Sequence, residues 1–271
     1  MSLDNHFKIS KTGNSYVLYD ASIIAEPVLP LFNRDYHTNL SSQQNKSVSL
    51  QQEQLGSAEQ AGGQADGNTG GMGRAQVIYF SQGEKSYVLK HYFRGGAVAK
   101  ILKDRYLGIS IIKSRAFREF RLLKKMNELG LPVPVAVAAH VNKGMLFYRA
   151  DLITEEIKQV KTLSDVLTGD ALGEQSWQKI GRCIKRFHQH GIYHADLNAR
   201  NILLTDSLEI YLIDFDNSFI RLGSGAWKMA NLSRLKRSLL KFKNNSDSFN
   251  FDEDAWSVLL AGYNANTVRE A

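Results

Sequence analysis

A chain of 271 residues, 43% of them hydrophobic, can bury a sizeable core as one large domain or two lobes. Its single cysteine, Cys183, excludes an intrachain disulfide and a multi-cysteine zinc site and fits a reducing, cytoplasmic compartment. The formal net charge of +7 points to anionic partners, whether nucleotide, nucleic acid or lipid surface, without choosing among them.

Met1-Ser2-Leu3-Asp4-Asn5-His6 lacks the basic-then-apolar order of a signal peptide, and no apolar run approaches the roughly 20 residues of a membrane span. Tyr16-Val17-Leu18-Tyr19 reads as a short strand. Residues 41–73 are rich in Gln, Ser, Gly, Asn and Ala and contain no aromatic. Such a stretch buries too little apolar surface to offset its ordering entropy, which predicts an insert that is largely mobile. Its glycines, among them Gly70, Gly71 and Gly73, precede a strand at 76–80. Glycines placed there let backbone N–H groups approach phosphates closely, or simply belong to the low-complexity stretch. No Gly-x-x-x-x-Gly-Lys-Ser/Thr occurs, so a Walker-type site is not indicated.

The hairpin continues through Gln82-Gly83-Glu84-Lys85 into Ser86-Tyr87-Val88-Leu89-Lys90, whose alternation puts Lys90 on one strand face. A basic piece at 94–106 follows, expected to be helical from Ala97 to Tyr106. Phe117, Phe120, Leu123 and Leu129 recur near helical spacing and predict an amphipathic helix over 113–129. Glu119 is its only acid between Ser110 and Asn127. In so basic a helix it is either a plain helix-stabilising glutamate or the partner of a specific cation, of which Lys90 is the obvious one. Residues 135–141 and 145–153 predict a second hairpin around Asn142-Lys143-Gly144. Trp177, Ile180, Ile184 and Phe187 mark a buried helix over 177–190, where Cys183 is expected to be a buried small side chain. His188 and His190 at its end read as polar helix-end residues rather than metal ligands.

The stretch His194-Ala195-Asp196-Leu197-Asn198-Ala199-Arg200-Asn201 carries the chemistry. The apolar run Ile202-Leu203-Leu204, a turn at Thr205-Asp206-Ser207 and the return through Glu209-Ile210-Tyr211-Leu212-Ile213 form a hairpin that delivers Asp214. Folding it brings Asp196, Asn201 and Asp214 to one end. That set suits phosphoryl transfer, which needs an acceptor hydroxyl positioned by a carboxylate and Mg²⁺ held on the triphosphate by oxygen ligands. Asp196 would orient the hydroxyl and accept its proton, while Asn201 and Asp214 would hold the metal. Beyond it, 218–245 carries Arg221, Lys228, Arg234, Lys236, Arg237, Lys241 and Lys243 with no acid, and Leu232, Leu235, Leu239 and Phe242 give part of it an apolar stripe. Such a helix lies on an anionic membrane, covers an anionic substrate, or packs its stripe into the core with a solvated basic face. A last helix over 251–263 starts at Asp252.

His-x-Asp, an Asn five residues after the Asp, and a hydrophobic-flanked Asp-Phe resemble the protein-kinase-like superfamily. The resemblance implies an α+β, two-lobed kinase-like fold: a small antiparallel-sheet N-lobe with one main helix over 1–153, containing the insert at 41–69, and a mainly helical C-lobe over 154–271. It implies ATP and Mg²⁺ as cofactors, Lys90 at the α/β-phosphates, Glu119 as its ion-pair partner, and a hinge at Thr154-Glu155-Glu156-Ile157 whose backbone, Glu155 included, meets adenine. The chain departs from protein kinases at several points. Asp216 stands where a glycine is expected, no Ala-Pro-Glu follows, Ala195 replaces an arginine, and Asn198 stands where a Ser/Thr protein kinase carries lysine. These departures favour a small-molecule or lipid-linked acceptor and make Arg200 a candidate contact for the acceptor or the γ-phosphate.

Together with Gly223-Ser224-Gly225-Ala226-Trp227-Lys228-Met229-Ala230-Asn231-Leu232-Ser233-Arg234-Leu235-Lys236-Arg237-Ser238-Leu239, these motifs look like the Kdo kinase branch of the bacterial lipopolysaccharide kinase family. That resemblance implies phosphorylation of a Kdo hydroxyl on a lipid A precursor and a peripheral place at the cytoplasmic face of the inner membrane, and, with no aromatic-rich basic sheet motif in the sequence, no nucleic-acid partner is expected. Basic residues in 94–125 and 221–243, with Arg234, Lys236 and Arg237 named as a surface set, are expected to hold the enzyme on anionic lipid. The competing readings are a kinase of the same fold with a soluble small-molecule or protein acceptor, and a catalytically idle kinase-fold binding protein or basic nucleic-acid binder.

Overall fold

The computed structural model describes residues 6–25, 29–33, 76–92, 106–107, 110–145, 147–221, 223 and 225–265. The insert at 41–73, with Gly70, Gly71 and Gly73, and the segment 94–105 lie outside the described residues. The chain divides into two compact units, Met1–Arg121 with Val135–Glu156, and Leu122–Pro134 with Ile157–Ala271.

The first unit is an antiparallel sheet. Its strands are β1 (Phe7–Thr12), β2 (Ser15–Asp20), β3 (Gln76–Gln82), β4 (Lys85–His91), β5 (Tyr106–Leu107), β6 (Ala136–Lys143) and β7 (Phe147–Glu155), in the order β1-β2-β6-β7-β4-β3 with β5 pairing β7. Tyr106 is therefore a strand residue, where the sequence pattern suggested the end of a helix. The central strands β6 and β7 are buried almost throughout, as Val137, Ala138, Ala139, Leu152 and Ile153 record. One sheet face gathers Ile78, Phe80, Tyr87, Leu89, Val137 and Ile153, covered by Ile23, Ile24, Leu31 and Phe32. Near its end, burial pushes the Asp151 carboxyl up. Hydrogen bonds from His140 and His91, with their nearby charge, outweigh burial and leave the group below the ordinary carboxylate range.

Alternation puts Val88 and Lys90 on the opposite face of β4 from Tyr87 and Leu89. There Lys90 meets helix α1 (Arg115–Glu128). Ser114 starts this helix by accepting a hydrogen bond from the Phe117 N–H, and Phe117 and Phe120 are fully buried. Phe120 also meets Phe7 edge-on, with ring centroids 5.8 Å apart.

The second unit is mainly helical. A short strand β8 (Val160–Thr162) runs into α2 (Leu163–Gly169), capped by Thr162. Then come α3 (Glu174–Gln189), β9 (Ile192–Tyr193), β10 (Ile202–Thr205), β11 (Ile210–Leu212), β12 (Phe219–Ile220), α4 (Ala226–Asn245) and α5 (Glu253–Asn264). The hairpin β10–β11 forms as its sequence suggests, with β8 as a third strand on β10, and β9 pairs with β12. Asp252 caps α5 by accepting from the Ala255 N–H. Helices α3 and α5 cross at two glycines. A Cβ on Gly181 would lie 2.1 Å from the Leu259 carbonyl oxygen, and one on Gly262 would lie 2.4 Å from that of Gln178, so neither position admits a side chain without a backbone shift.

Candidate active site

In the first unit the Lys90 ammonium lies 3.1 Å from both carboxylate oxygens of Glu119, and the side chains are 14% and 4% exposed. The ion pair expected from the lone acid of a basic helix is thus formed. Glu119 Oε2 also accepts a 2.6 Å hydrogen bond from the Tyr92 hydroxyl, and Lys90 sits 4.8 Å above the Tyr92 ring. A buried ammonium with a carboxylate and an aromatic face around it is held in one place, because moving it away would leave the buried Glu119 carboxylate uncompensated at a cost of several kcal/mol. Glu155 closes β7. Its N–H donates to the Val135 carbonyl and its carboxylate pairs with Lys85 at 2.7 Å, so both groups are engaged within the sheet.

The second unit carries the candidate catalytic loop. The Asn201 side-chain NH₂ donates to the Asp196 carbonyl at 2.9 Å, and the Ile213 N–H donates to the Asn201 carbonyl at 3.1 Å. Asp196, buried Asn201 and the segment before Asp214 therefore come together at the open end of the β10–β11 hairpin. His194 ties the two sides: its Nδ1 accepts from the Asp196 N–H, and its Nε2–H donates to the Ile213 carbonyl at 2.9 Å. Asp214 adopts a left-handed φ of 61°, a conformation that costs a non-glycine residue on the order of 1 kcal/mol and persists only where neighbours impose it. The fully buried Phe215 ring does so, packed 4.6 Å from His194 and 5.8 Å from Phe187. Asn201 Oδ1 and the Asp214 carboxylate are hard oxygen donors, the chemistry Mg²⁺ requires. Among the described residues no three His, Cys, Asp or Glu side chains converge as a metal cage, and Mg²⁺ held by two protein oxygens and phosphate oxygens needs none.

Helix α4 runs along this loop with a polar contact at each turn. The Asn231 side-chain NH₂ donates to the His194 carbonyl at 2.7 Å. Arg234 Nη1 donates to Asp196 Oδ1 at 3.2 Å. Ser238 Oγ accepts from the Ala199 N–H at 3.2 Å, and the Arg200 guanidinium lies 5.1 Å from the Phe242 ring centroid. The other Asp196 oxygen, Oδ2, accepts from Asn198 Nδ2 at 3.0 Å. Arg234, which the sequence pattern grouped with Lys236 and Arg237 as a lipid-facing set, is thus paired with the Asp196 loop. Lys236 pairs with Glu253 at 2.7 Å, which leaves Arg237 as the exposed member of that trio. The signal that could have found these residues is the spacing of Asn231, Arg234 and Ser238, a polar stripe at helical period beside Leu232, Leu235 and Leu239.

A buried chain of hydrogen bonds supports α4 from behind. Tyr263 OH donates to His188 Nδ1 at 2.9 Å, and His188 Nε2–H donates to Asn231 Oδ1 at 3.1 Å. His188 is 2% exposed, and burial pushes its pKa down to about 4. It is an interior hydrogen-bonding residue, where the pattern suggested a helix-end polar one, whereas His190 is exposed at the C-cap. Cys183 is buried as expected, and burial raises its thiol to about 12.

Residues 64–263 match the Lipopolysaccharide kinase (Kdo/WaaP) family. The chain is 36% identical over 251 residues to the 3-deoxy-D-manno-octulosonic acid kinase of Vibrio vulnificus (strain YJ016), covering 93% of this chain and 95% of that protein. It is 40% identical over 196 residues to the enzyme of the same name from Haemophilus influenzae (strain PittEE), 69% of this chain and 80% of the other. With that of Pasteurella multocida (strain Pm70) it shares 44% over 181 residues, 65% and 75% of the two chains. The α+β fold, the phosphotransferase loop and these matches agree: the chain belongs to the lipopolysaccharide kinase (Kdo/WaaP) family.

Proposed function

We infer that this chain is an ATP-dependent kinase that phosphorylates a hydroxyl of the Kdo sugar on a lipid A precursor in lipopolysaccharide core biosynthesis. The observation that carries the reading is the loop in which Asp196, Asn201 and the approach to Asp214 are locked together by hydrogen bonds, in a chain whose relatives are named as kinases of that sugar acid. Asp196 orients the acceptor hydroxyl and takes its proton. Asn198 and Arg234 hold the two oxygens of its carboxylate, so the proton arrives at a fixed place. Asn201 and Asp214 would hold Mg²⁺. Bound Mg²⁺-ATP supplies the phosphoryl group with its charge partly neutralised. Lys90, held by Glu119, would meet the α/β-phosphates, and the backbone of Gly70, Gly71 and Gly73 and of the strand end at Glu155 would meet the rest of the nucleotide. Arg200 is the candidate contact for the γ-phosphate or the acceptor.

The same reading puts the enzyme at the cytoplasmic face of the inner membrane as a peripheral protein. No helix among the described residues is long and apolar enough to cross a membrane. The exposed stripe of α4 combines Met229 and Leu240 with Arg237 and Lys241, and beside it a groove of about 230 Å³ lies against α5, lined by Leu232, Trp256 and Leu260 among others. Apolar and cationic side chains on one exposed stripe are what an anionic lipid surface attracts. Transfer of labelled phosphate from ATP tests the reading, with purified Kdo-bearing lipid A precursor set against soluble sugars and protein. Labelling of the lipid in preference to the others is the expected result, and preferential labelling of a soluble sugar or a protein would overturn it.

A further inference from the structure

The molecule offers several features that the phosphotransfer chemistry leaves unused: the His140–Asp151–His91 cluster, the buried His188 chain and the outward nitrogens of Arg234, whose Nη1 alone is bonded to Asp196. The last carries furthest. We propose that Arg234 is the residue that recognises the acceptor's carboxylate, and so selects an acid sugar over a neutral one. The proposal rests on the acceptor being Kdo, as inferred above.

Three observations lead to it. First, a phosphoryl-transfer loop of this kind faces an electrostatic difficulty when the acceptor is itself an acid. The sugar carboxylate enters the site on the same sugar as the hydroxyl that Asp196 orients, and like charges brought into one site repel. A fixed cation beside Asp196 removes the difficulty. Second, the loop supplies no such cation next to its own base. The position two residues after Asp196 is neutral Asn198, and Arg200, beside the Phe242 ring, bonds neither oxygen of the Asp196 carboxylate. Arg234 comes instead from α4, the helix that accompanies the loop turn by turn.

Third, the Arg234 side chain is anchored at one end and accessible at the other. Nη1 is bonded to Asp196 Oδ1, while among the described residues Nη2 and Nε have no hydrogen-bond partner, and the side chain is 41% exposed against 30% for Asp196. A guanidinium is planar, permanently charged and matched to a carboxylate by two parallel N–H donors, so it serves as a bridge between two carboxylates where a lysine would serve one. Because it cannot give up its proton at any working pH, it leaves the proton transfer to Asp196. The neighbouring contacts through Asn231 and Ser238 fix where on the loop the guanidinium arrives.

The experiment compares kcat/KM for the Kdo-bearing lipid acceptor and for the same acceptor with its sugar carboxylate converted to the carboxamide, in the wild-type enzyme and in Arg234→Gln and Arg234→Lys. The wild type is expected to prefer the acid by about 10- to 150-fold, the discrimination of one charged hydrogen-bonded contact. Arg234→Gln is expected to lose most of that preference, mainly through a raised KM for the acid, and Arg234→Lys to retain part of it. A uniform loss on both acceptors with the preference intact overturns the proposal and assigns the guanidinium to Asp196 or the phosphoryl group alone. The wild-type arm stands whether or not the variants fold: equal use of acid and amide overturns the proposal while leaving the kinase reading in place. Failure to phosphorylate either acceptor overturns the choice of acceptor and this inference with it.

Discussion

Helices α1 and α4 are both basic and amphipathic, and they use their charge in opposite ways. α1 contains one acid within its basic stretch, Glu119, and turns it inward to hold Lys90 in a pair that is almost completely buried. α4 contains no acid, and two of its cations find counter-charges on other elements: Arg234 on Asp196 of the candidate catalytic loop and Lys236 on Glu253 of α5. The α1 pair is a clamp, because breaking it leaves a charge in a place water cannot reach. The Arg234–Asp196 pair is half exposed, so either partner can be rehydrated or re-partnered at small cost. Composition within a helix measures how much charge it carries and is silent about where the opposite charge sits.

The sharpest contrast is expected from removing one acid of each pair. Asp196→Ala should lower transfer by about 100- to 10,000-fold through loss of the positioned base, with little change in melting temperature because its pair is half exposed. Single-turnover transfer and thermal denaturation on the same preparation check both halves, and a variant keeping more than about a tenth of wild-type turnover would remove Asp196 from the base role. Glu119→Ala should behave in the reverse manner on stability. It strips the carboxylate that Lys90 and Tyr92 share, and is expected to cost about 3–5 kcal/mol by denaturant unfolding as well as activity. If it melts like the wild type, the idea that α1 acts as a buried clamp fails.

The support behind α4 adds a pH dependence. His188 holds Asn231 in its neutral form, and its pKa in the folded protein is about 4 against an ordinary value of 6.5. The folded state therefore binds fewer protons than the unfolded chain between these values. This contribution to stability is complete above pH 6.5 and is lost as pH falls toward 4, by roughly 3 kcal/mol in all. Unfolding midpoints measured across that window should fall more steeply for the wild type than for His188→Gln, and parallel curves would show that another group governs the acid limb.

The smallest effect belongs to the exposed stripe of α4. Changing Arg237 and Lys241 to Gln together should weaken co-sedimentation with anionic vesicles by about 1 kcal/mol per charge, less at high salt, and leave turnover of a short soluble Kdo acceptor unchanged. Arg234→Gln should do the opposite, raising the KM for that acceptor without altering vesicle binding. Should both variants lose vesicle binding equally, the division of α4 into a loop-facing and a lipid-facing side would be wrong.

Much of the candidate site was legible before the fold was known, and the reason is locality. Asp196, Asn201 and Asp214 lie within one loop and one hairpin, so residue type and spacing alone bring them to one end. Glu119 and Lys90 are 29 residues apart, yet an isolated acid in a basic helix and an alternating strand left few ways to pair them. Secondary structure followed the same rule: Ser114 and Asp252 start their helices where a side-chain acceptor precedes an apolar periodic run. The strand β8 had no such signal, being short and defined by pairing with β10, and α2, although capped by Thr162, is too short for its apolar residues to show a period.

The amino-acid sequence by itself thus determined the chemistry of the loop, the family of the chain and the periodic elements, because each is written in residues a few positions apart. Only the tertiary structure decided which of many equivalent cations serves the loop. Arg234, Lys236 and Arg237 are near neighbours in one helix and look alike in sequence, but successive residues point about 100° apart around the axis. One meets Asp196, one meets Glu253, and one faces outward. The close crossing at Gly181 and Gly262 and the burial of His188 were likewise decided by packing, since what a side chain can be depends there on backbone and rings that arrive from distant parts of the chain.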